Sequence, residues 1–233
     1  MIFQGTRVIG DVHGDIAAFA AAVDDARARR LFVVQLGDLV DRGPDSAATL
    51  RLGLDLMERG EGICLRGNHD DHLYRALKGN PVRLGEDAAR SLAQVKDASD
   101  HLDERFLAAY PAMPWWLRLG EAWLCVHGAF HPAMLEVPDP KAVTPRRQAD
   151  KCRWLALRGE GVMAEGDDLP TRTYSWIDMV PAGLTVLIGH DCLSTDTILE
   201  RTGALGGRVR FCDTGCGKGG TLSWINLSGV VPN

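Results

Sequence analysis

The chain contains no apolar stretch approaching the eighteen or so residues that a membrane-spanning helix needs. It also lacks any excess of basic charge: 26 Lys and Arg stand against 31 Asp and Glu, a formal net charge of −5. A balance of that sign gives no field to gather nucleic acid or an anionic bilayer, so neither is expected as a partner. Six cysteines in 233 residues are too few to staple a chain of this size. Cys64 and Cys125 fall inside apolar runs, where a free thiol packs as a small hydrophobe. Cys212 and Cys216 have no second pair nearby, whereas structural zinc needs about four ligands, so the Asp213-Thr214-Gly215 between them reads as a strand-end loop. Internal repeats, linkers and low-complexity tracts are missing. Met1 to Arg7 enter the first apolar run directly, with no charged-then-apolar leader. A reduced, cytoplasmic protein folded as a single domain over residues 1–233 is the expectation, with enough apolar content (45%) for a full core.

What the sequence does contain is polar clusters at the ends of apolar runs. Arg7-Val8-Ile9 leads into Gly10-Asp11-Val12-His13-Gly14, and residues 31–36 lead into Gly37-Asp38-Leu39-Val40-Asp41-Arg42-Gly43. Residues 62–65 lead, one residue on, into Gly67-Asn68-His69-Asp70. Short Val, Ile and Leu runs closed by Gly read as buried parallel strands. Between them, residues 15–29 are Ala-rich and favour a helix, and residues 44–59 read as a second helix with Pro44 at its first position and Gly60 past its end. Right-handed crossovers build this β-α-β-α-β order into a parallel sheet, whose ligands bind at the carboxyl ends of the strands.

Residues 70–110 turn polar and helical, broken at Gly79-Asn80-Pro81, and are expected as a helical excursion from the sheet. Strand signals return at 116–119, 123–126, 184–188, 209–212 and 221–227, which are expected to form a second, antiparallel or mixed sheet. The fold class expected is therefore α/β, a two-sheet αββα sandwich with its site at the strand C-terminal ends. Two of the later runs also end in histidine beside glycine, at Val126-His127-Gly128 and Gly189-His190. The ligand candidates are then Asp11, His13, Asp38, Asn68, His127 and His190, too many for one cation. Two cations about 3.5–4 Å apart and sharing one carboxylate can use them. A mixed oxygen and imidazole set favours borderline divalent metals such as Mn, Fe or Zn over Mg or Ca, and two ions, Mn2+ first among these, are the expectation.

The ordered set GDVHG, GDLVDRG, GNHD, HG and GH resembles the calcineurin-like metallophosphoesterases, and the intact Asp41-Arg42-Gly43 resembles the phosphoprotein phosphatase branch. That branch includes small bacterial and phage serine/threonine protein phosphatases and symmetrical diadenosine tetraphosphatases. The resemblance runs from about residue 6 to 217. It implies one metal on Asp11, His13 and Asp38 and a second on Asp38, Asn68, His127 and His190, with Asp38 shared. It implies His69 as general acid, Asp41 as the carboxylate that orients it, and Arg42, with Asn68, in contact with substrate phosphate. The family's glutamate after Asn-His is here Asp70. A second phosphate-binding arginine has two candidates, Arg153 and Arg158; Arg158 is preferred because Gly159 lets the backbone turn beside it.

The chemistry implied is attack on phosphorus by water that two cations activate, with His69 protonating the departing alkoxide. The expected activity is hydrolysis of phosphate monoesters, either protein phosphoserine and phosphothreonine or small phosphoesters. Symmetrical cleavage of dinucleoside tetraphosphates is the alternative, and a non-catalytic metal-binding scaffold is a third reading disfavoured by the presence of Asp41, Arg42 and His69. His72 and His101 carry no motif and are expected as exposed or partnered surface histidines; Trp115-Trp116 is expected to pack rather than to stack a base. Gly217-Lys218-Gly219-Gly220 lacks the context of a phosphate loop and reads as a turn.

Overall fold

In a computed structural model, described over residues 2–163 and 170–232, the first half winds as its sequence suggests. Strands β1 (Gly5–Ile9), β2 (Leu31–Gln35) and β3 (Gly62–Cys64) pair in parallel, joined by helices α1 (Ile16–Ala28) and α2 (Ser46–Glu58). Asp15 and Asp45 cap these helices by accepting from the amides of Ala18 and Ala48. Pro44 thus lies before the cap of α2 rather than at its first helical position. The excursion holds α3 (Asn68–Leu77), α4 (Glu86–Lys96) and α5 (Leu102–Ala109).

The second sheet runs β4–β5–β8–β10–β9, from β4 (Trp116–Leu119), β5 (Trp123–Val126), β8 (Thr185–Ile188), β9 (Leu199–Thr202) and β10 (Arg208–Phe211). It is mixed: β5, β8 and β10 are parallel, while β4 and β9 run antiparallel at its edges. Before β8 come α6 (Arg146–Arg158) and a small hairpin of β6 (Glu160–Val162) and β7 (Thr171–Thr173). The last strand, β11 (Trp224–Ser228), corrects the expectation. It joins the first sheet, antiparallel to β1, rather than the second. Without it β1 would be a bare edge. Arg7 anchors the pairing: its Nε donates to Asn226 Oδ1 at 2.9 Å, and its guanidinium lies 4.9 Å from the Trp224 ring.

The alternation of side chains along each strand sorts them into three apolar layers. Ile9 and Val33 face the helices with Phe19, Val23, Leu50 and Leu54. Val8, Val34, Cys125, Leu187 and Cys212 meet between the sheets. Leu124, Val126, Val186 and Ile188 face α6 on the far side. Strands buried on both faces explain why the runs are continuously apolar, and the αββα sandwich is the result.

A half-buried charge network ties the excursion to α2. Arg51 holds both oxygens of Asp100, at 2.7 and 3.0 Å, and Arg105 spans Asp100, Asp55 and Glu58. The Arg51 hydrogen bonds hold Asp100 down to a pKa of about 2. A carboxyl depressed in the folded state stabilises it above the unfolded value and loses that contribution as pH falls through about 2. Asp100→Asn is therefore expected to lower stability by about 0.5–1 kcal/mol at neutral pH, and to make no difference below about pH 2, in urea titrations.

Candidate metal centre

The loops after β1, β2, β3, β5 and β8 meet at one rim. The first two are zipped together by their backbones: Val12 and His13 both donate to Asp38 O, and Gly14 donates to Leu39 O, all at 2.9–3.1 Å. Five of the seven non-glycine residues with positive φ among the described residues lie here: His13, Asp38, Asp41, Arg42 and His190. Backbone held in that region costs of order 1–3 kcal/mol per residue and persists where surrounding contacts over-determine it. Asp70 is one such contact. Buried on the first turn of α3, it accepts from the amides of Asp38 (2.8 Å), Leu39 (3.0 Å) and Gly67 (3.2 Å). The shortened carboxylate thus braces the loop that carries Asp38.

All six ligand candidates converge. Asp38 Oδ2 lies 3.7 Å from His13 Nε2, 3.4 Å from His127 Nε2 and 4.0 Å from His69 Nε2. Asp11 Oδ2 is 3.7 Å from His13 Nε2, and Asp11 Oδ1 is 3.9 Å from His127 Nδ1. Asn68 Oδ1 is 3.0 Å from His127 Nε2. Two groups of donor atoms could each hold an ion, one with His13, Asp38 and His69 and one with Asp38, His127 and His190, and Asp38 belongs to both. The rings are oriented from behind: His13 Nδ1 sits 3.0 Å from Val40 O and His127 Nδ1 2.9 Å from Leu36 O. A backbone carbonyl there leaves Nε2 as the free lone pair, the usual arrangement for a metal-ligating imidazole.

The electrostatics fit cations. Burial pushes Asp11 well up, reinforced by Asp213 and Asp38. Burial should depress His127, yet Asp38, Asp11 and Asp70 outweigh it and raise the imidazole to about 9. Acids and imidazoles crowded together out of water shift one another in this way until a shared cation relieves them, and the oxygen and imidazole donors suit a borderline divalent metal.

Glycine enforces the closeness. A Cβ at Gly189 would stand 2.1 Å from Asp11 Oδ1, and the next amide, His190 N, donates to that same oxygen at 3.0 Å. Gly189→Ala is expected to displace Asp11. Bound Mn2+ should fall well below that of the parent and turnover by about 10–100-fold, with folding retained by circular dichroism; unchanged metal content would contradict the close packing.

His69 and Asp41 stand at the mouth, with Nδ1 to Oδ2 at 2.6 Å. His69 N also donates to Asp38 Oδ1 at 2.9 Å, so the start of α3 points at the carboxylate. Arg42 is exposed and lines the same cleft, with Asp41, His69, His72 and the start of α4. His72 is thus half-buried in the cleft wall instead of lying on an open surface, because it falls one turn after His69 on α3. His101 is exposed, and Trp116 packs with its Nε1 donating to Val137 O.

Of the two arginine candidates, Arg158 comes closer to the centre. Its carbonyl lies 3.0 Å from His190 Nε2, while its guanidinium stacks 5.5 Å from the Trp154 ring. Arg153 turns away and pairs with Asp150 at 2.8 Å. Sequence reasoning missed a third guanidinium, Arg172 on β7, whose Nη2 is 2.5 Å from His190 Nε2 and whose Nε is 3.1 Å from Asp191. It missed Lys218 too, which crosses the Gly-rich turn to Asp213 at 2.9 Å behind Asp11. Neither carries a local motif; only the tertiary fold brings them in.

Comparison with known proteins agrees with this geometry. The sequence model for calcineurin-like phosphoesterases matches residues 6–204. The chain is 28% identical over 197 residues to the asymmetrical bis(5'-nucleosyl)-tetraphosphatase PrpE of Bacillus velezensis, covering 82% of this chain and 72% of that protein. It is 36% identical over 86 residues to PrpE of Bacillus subtilis, spanning 35% of each. A symmetrical bis(5'-nucleosyl)-tetraphosphatase of Nitrosomonas europaea is 35% identical over 105 residues, spanning 43% of this chain and 37% of that one. A solved structure described as a putative diadenosine tetraphosphatase superposes with a TM-score of 0.61 at 21% identity, over 97% of this chain and 94% of that one, a likeness of fold. Among the described residues no helix is long and apolar enough to cross a membrane. The chain belongs to the calcineurin-like phosphoesterase family, and it is a metal-dependent hydrolase of phosphoric esters.

Proposed function

We propose that the protein hydrolyses phosphate monoesters, with phosphoserine and phosphothreonine of proteins or small phosphoesters as substrates, in the cytoplasm. The observation that carries this reading is the 2.6 Å contact between His69 and Asp41 at the mouth of the site. An alkoxide leaves poorly without a proton, and a nucleoside polyphosphate leaves readily without one, so a dedicated acid suits an ester. Burial opposes the charged form of His69, but the Asp38 carboxylate and the hydrogen-bonded Asp41 outweigh it, and the ring's pKa is raised. The shift favours the protonated form that an acid needs, and His69 Nε2 faces the site, 4.0 Å from Asp38 Oδ2.

Asp11, His13 and Asp38 would hold one divalent cation, and Asp38, Asn68, His127 and His190 the other, with Mn2+ as the first choice and Fe or Zn as alternatives. Bound there, the pair supplies a nucleophile at neutral pH and offsets phosphoryl charge. Arg42, with Asn68 and Arg158, would fix the phosphoryl oxygens, for which a planar guanidinium fork is well matched. Symmetrical cleavage of dinucleoside tetraphosphates is the second reading; the names of relatives support that substrate class, although the one matched over 82% of the chain is named for asymmetrical cleavage. Metal-stripped protein, with and without added Mn2+, separates the two on a phosphoserine peptide and on diadenosine tetraphosphate. Mn-dependent phosphate release from the peptide alone is the expected result. Cleavage of the dinucleotide with the peptide untouched would overturn it.

A further inference from the structure

Helix α6 carries Arg146, Arg147, Lys151, Arg153 and Arg158 against the single carboxylate Asp150, in a chain whose net charge is −5. The charges sort into two rows. Arg146, Asp150 and Arg153 form one, closed on itself by ion pairs at 4.0 and 2.8 Å. Arg147, Lys151, Trp154 and Arg158 form the other, at offsets of four, three and four residues, so they share one face of the helix. Arg147 and Lys151 are exposed, and the Trp154 indole is 57% exposed, uncommon for so large an apolar ring. Trp154 and Arg158 flank a shallow groove with Asp150, Arg153 and Leu157. The row starts at the metal centre, where the Arg158 carbonyl meets His190.

We propose that this face of α6 docks an acidic, extended segment of a phosphoprotein next to its phosphorylated residue. The proposal rests on the phosphomonoesterase reading. Charge complementarity names the occupant: three cations in a row select carboxylates, and the exposed indole between them takes one apolar side chain as an anchor. Length agrees. The eleven helical steps from Arg158 to Arg147 rise about 16 Å, and an extended peptide covers that in about five residues. Acidic residues within about five positions of the phosphoresidue are therefore the expected determinants of substrate choice. Beyond Arg158, which the phosphoryl group shares, Arg147, Lys151 and Trp154 act on substrate binding and leave the reacting groups alone.

The test uses the full-length, Mn-loaded protein and the variants Arg147→Ser/Lys151→Ser and Trp154→Ala. Phosphoserine peptides with acidic or basic flanks are compared with p-nitrophenyl phosphate, and fluorescence anisotropy follows a labelled, unphosphorylated acidic peptide. For the acidic-flanked substrate the double variant is expected to raise KM about tenfold with kcat unchanged, while p-nitrophenyl phosphate turnover stays at the parent level. Added salt should abolish the parent's preference for the acidic flank. Equal KM in parent and double variant, or a preference for the basic flank, would overturn the proposal. So would a loss confined to diadenosine tetraphosphate, which would give the face to the dinucleotide. If p-nitrophenyl phosphate is turned over and neither phosphopeptide is, the phosphomonoesterase reading fails on protein substrates. Anisotropy then decides docking by itself: salt-sensitive binding lost in the double variant supports it, and no binding by the parent overturns it.

Discussion

Asp38→Asn is expected to leave a folded protein that binds at most one equivalent of Mn2+ and turns over p-nitrophenyl phosphate about 10³-fold more slowly, or worse, a loss of about 4 kcal/mol at the barrier. The substitution changes charge and almost nothing else. Asparagine keeps the volume of aspartate and an oxygen for the His69 amide, which the carboxylate accepts at 2.9 Å. The brace from Asp70 reaches the backbone amide of residue 38 and does not depend on its side chain. What disappears is the one carboxylate common to both donor groups, within 3.4–4.0 Å of His127, His13 and His69. Asp38 is also the foremost group raising the buried His127, so its removal weakens the field that draws a cation into the site. Metal content by elemental analysis, together with circular dichroism, separates this from misfolding. Two tightly held equivalents of metal in the variant would show that Asp38 is not shared.

The rim of the first sheet was legible because each chemical residue follows its strand directly. Asp11, Asp38 and Asn68 lie within four residues of the ends of β1, β2 and β3, so placing the strands placed the donors. His127 and His190 follow β5 and β8 just as closely. The destination of the last strand was not legible. The alternation of β11 shows that it is a strand, but whether it pairs with β1 or within the second sheet depends on how residues 212–223 cross the rim, and local sequence does not encode that path. Arg172 was hidden for the same reason. It reaches His190 from a hairpin strand eighteen residues earlier, with only a Thr-Arg-Thr triplet around it. That His72 lines the cleft was not legible either, because polar surroundings in sequence say little about which face of α3 does so.

His69→Asn should split substrates by leaving group. Asparagine cannot donate the proton that an alkoxide needs, so turnover of an alkyl phosphate or phosphoserine peptide is expected to fall by about 10²–10⁴-fold. Nitrophenolate departs without help, and p-nitrophenyl phosphate should lose no more than about tenfold. Metal content should stay at the parent level, since Asp11, whose Oδ2 lies 3.7 Å from His13 Nε2, remains to complete the donor group of His13 and Asp38. Asp41→Asn gives an independent handle: the 2.6 Å contact both orients the ring and helps to raise its pKa, so losing it should mimic His69→Asn in direction with a smaller loss. The sign with pH follows. With its pKa raised, the acid form persists to higher pH than in a free imidazole and is lost as pH climbs past it, so turnover of the alkyl ester should decline on the alkaline side in the parent, and that decline should be missing in His69→Asn. Equal losses for both leaving groups would move His69 from proton donor to a residue that only shapes the site. In that case the proposed preference for esters over anhydrides would have no chemical basis, and the dinucleotide reading would become the better one.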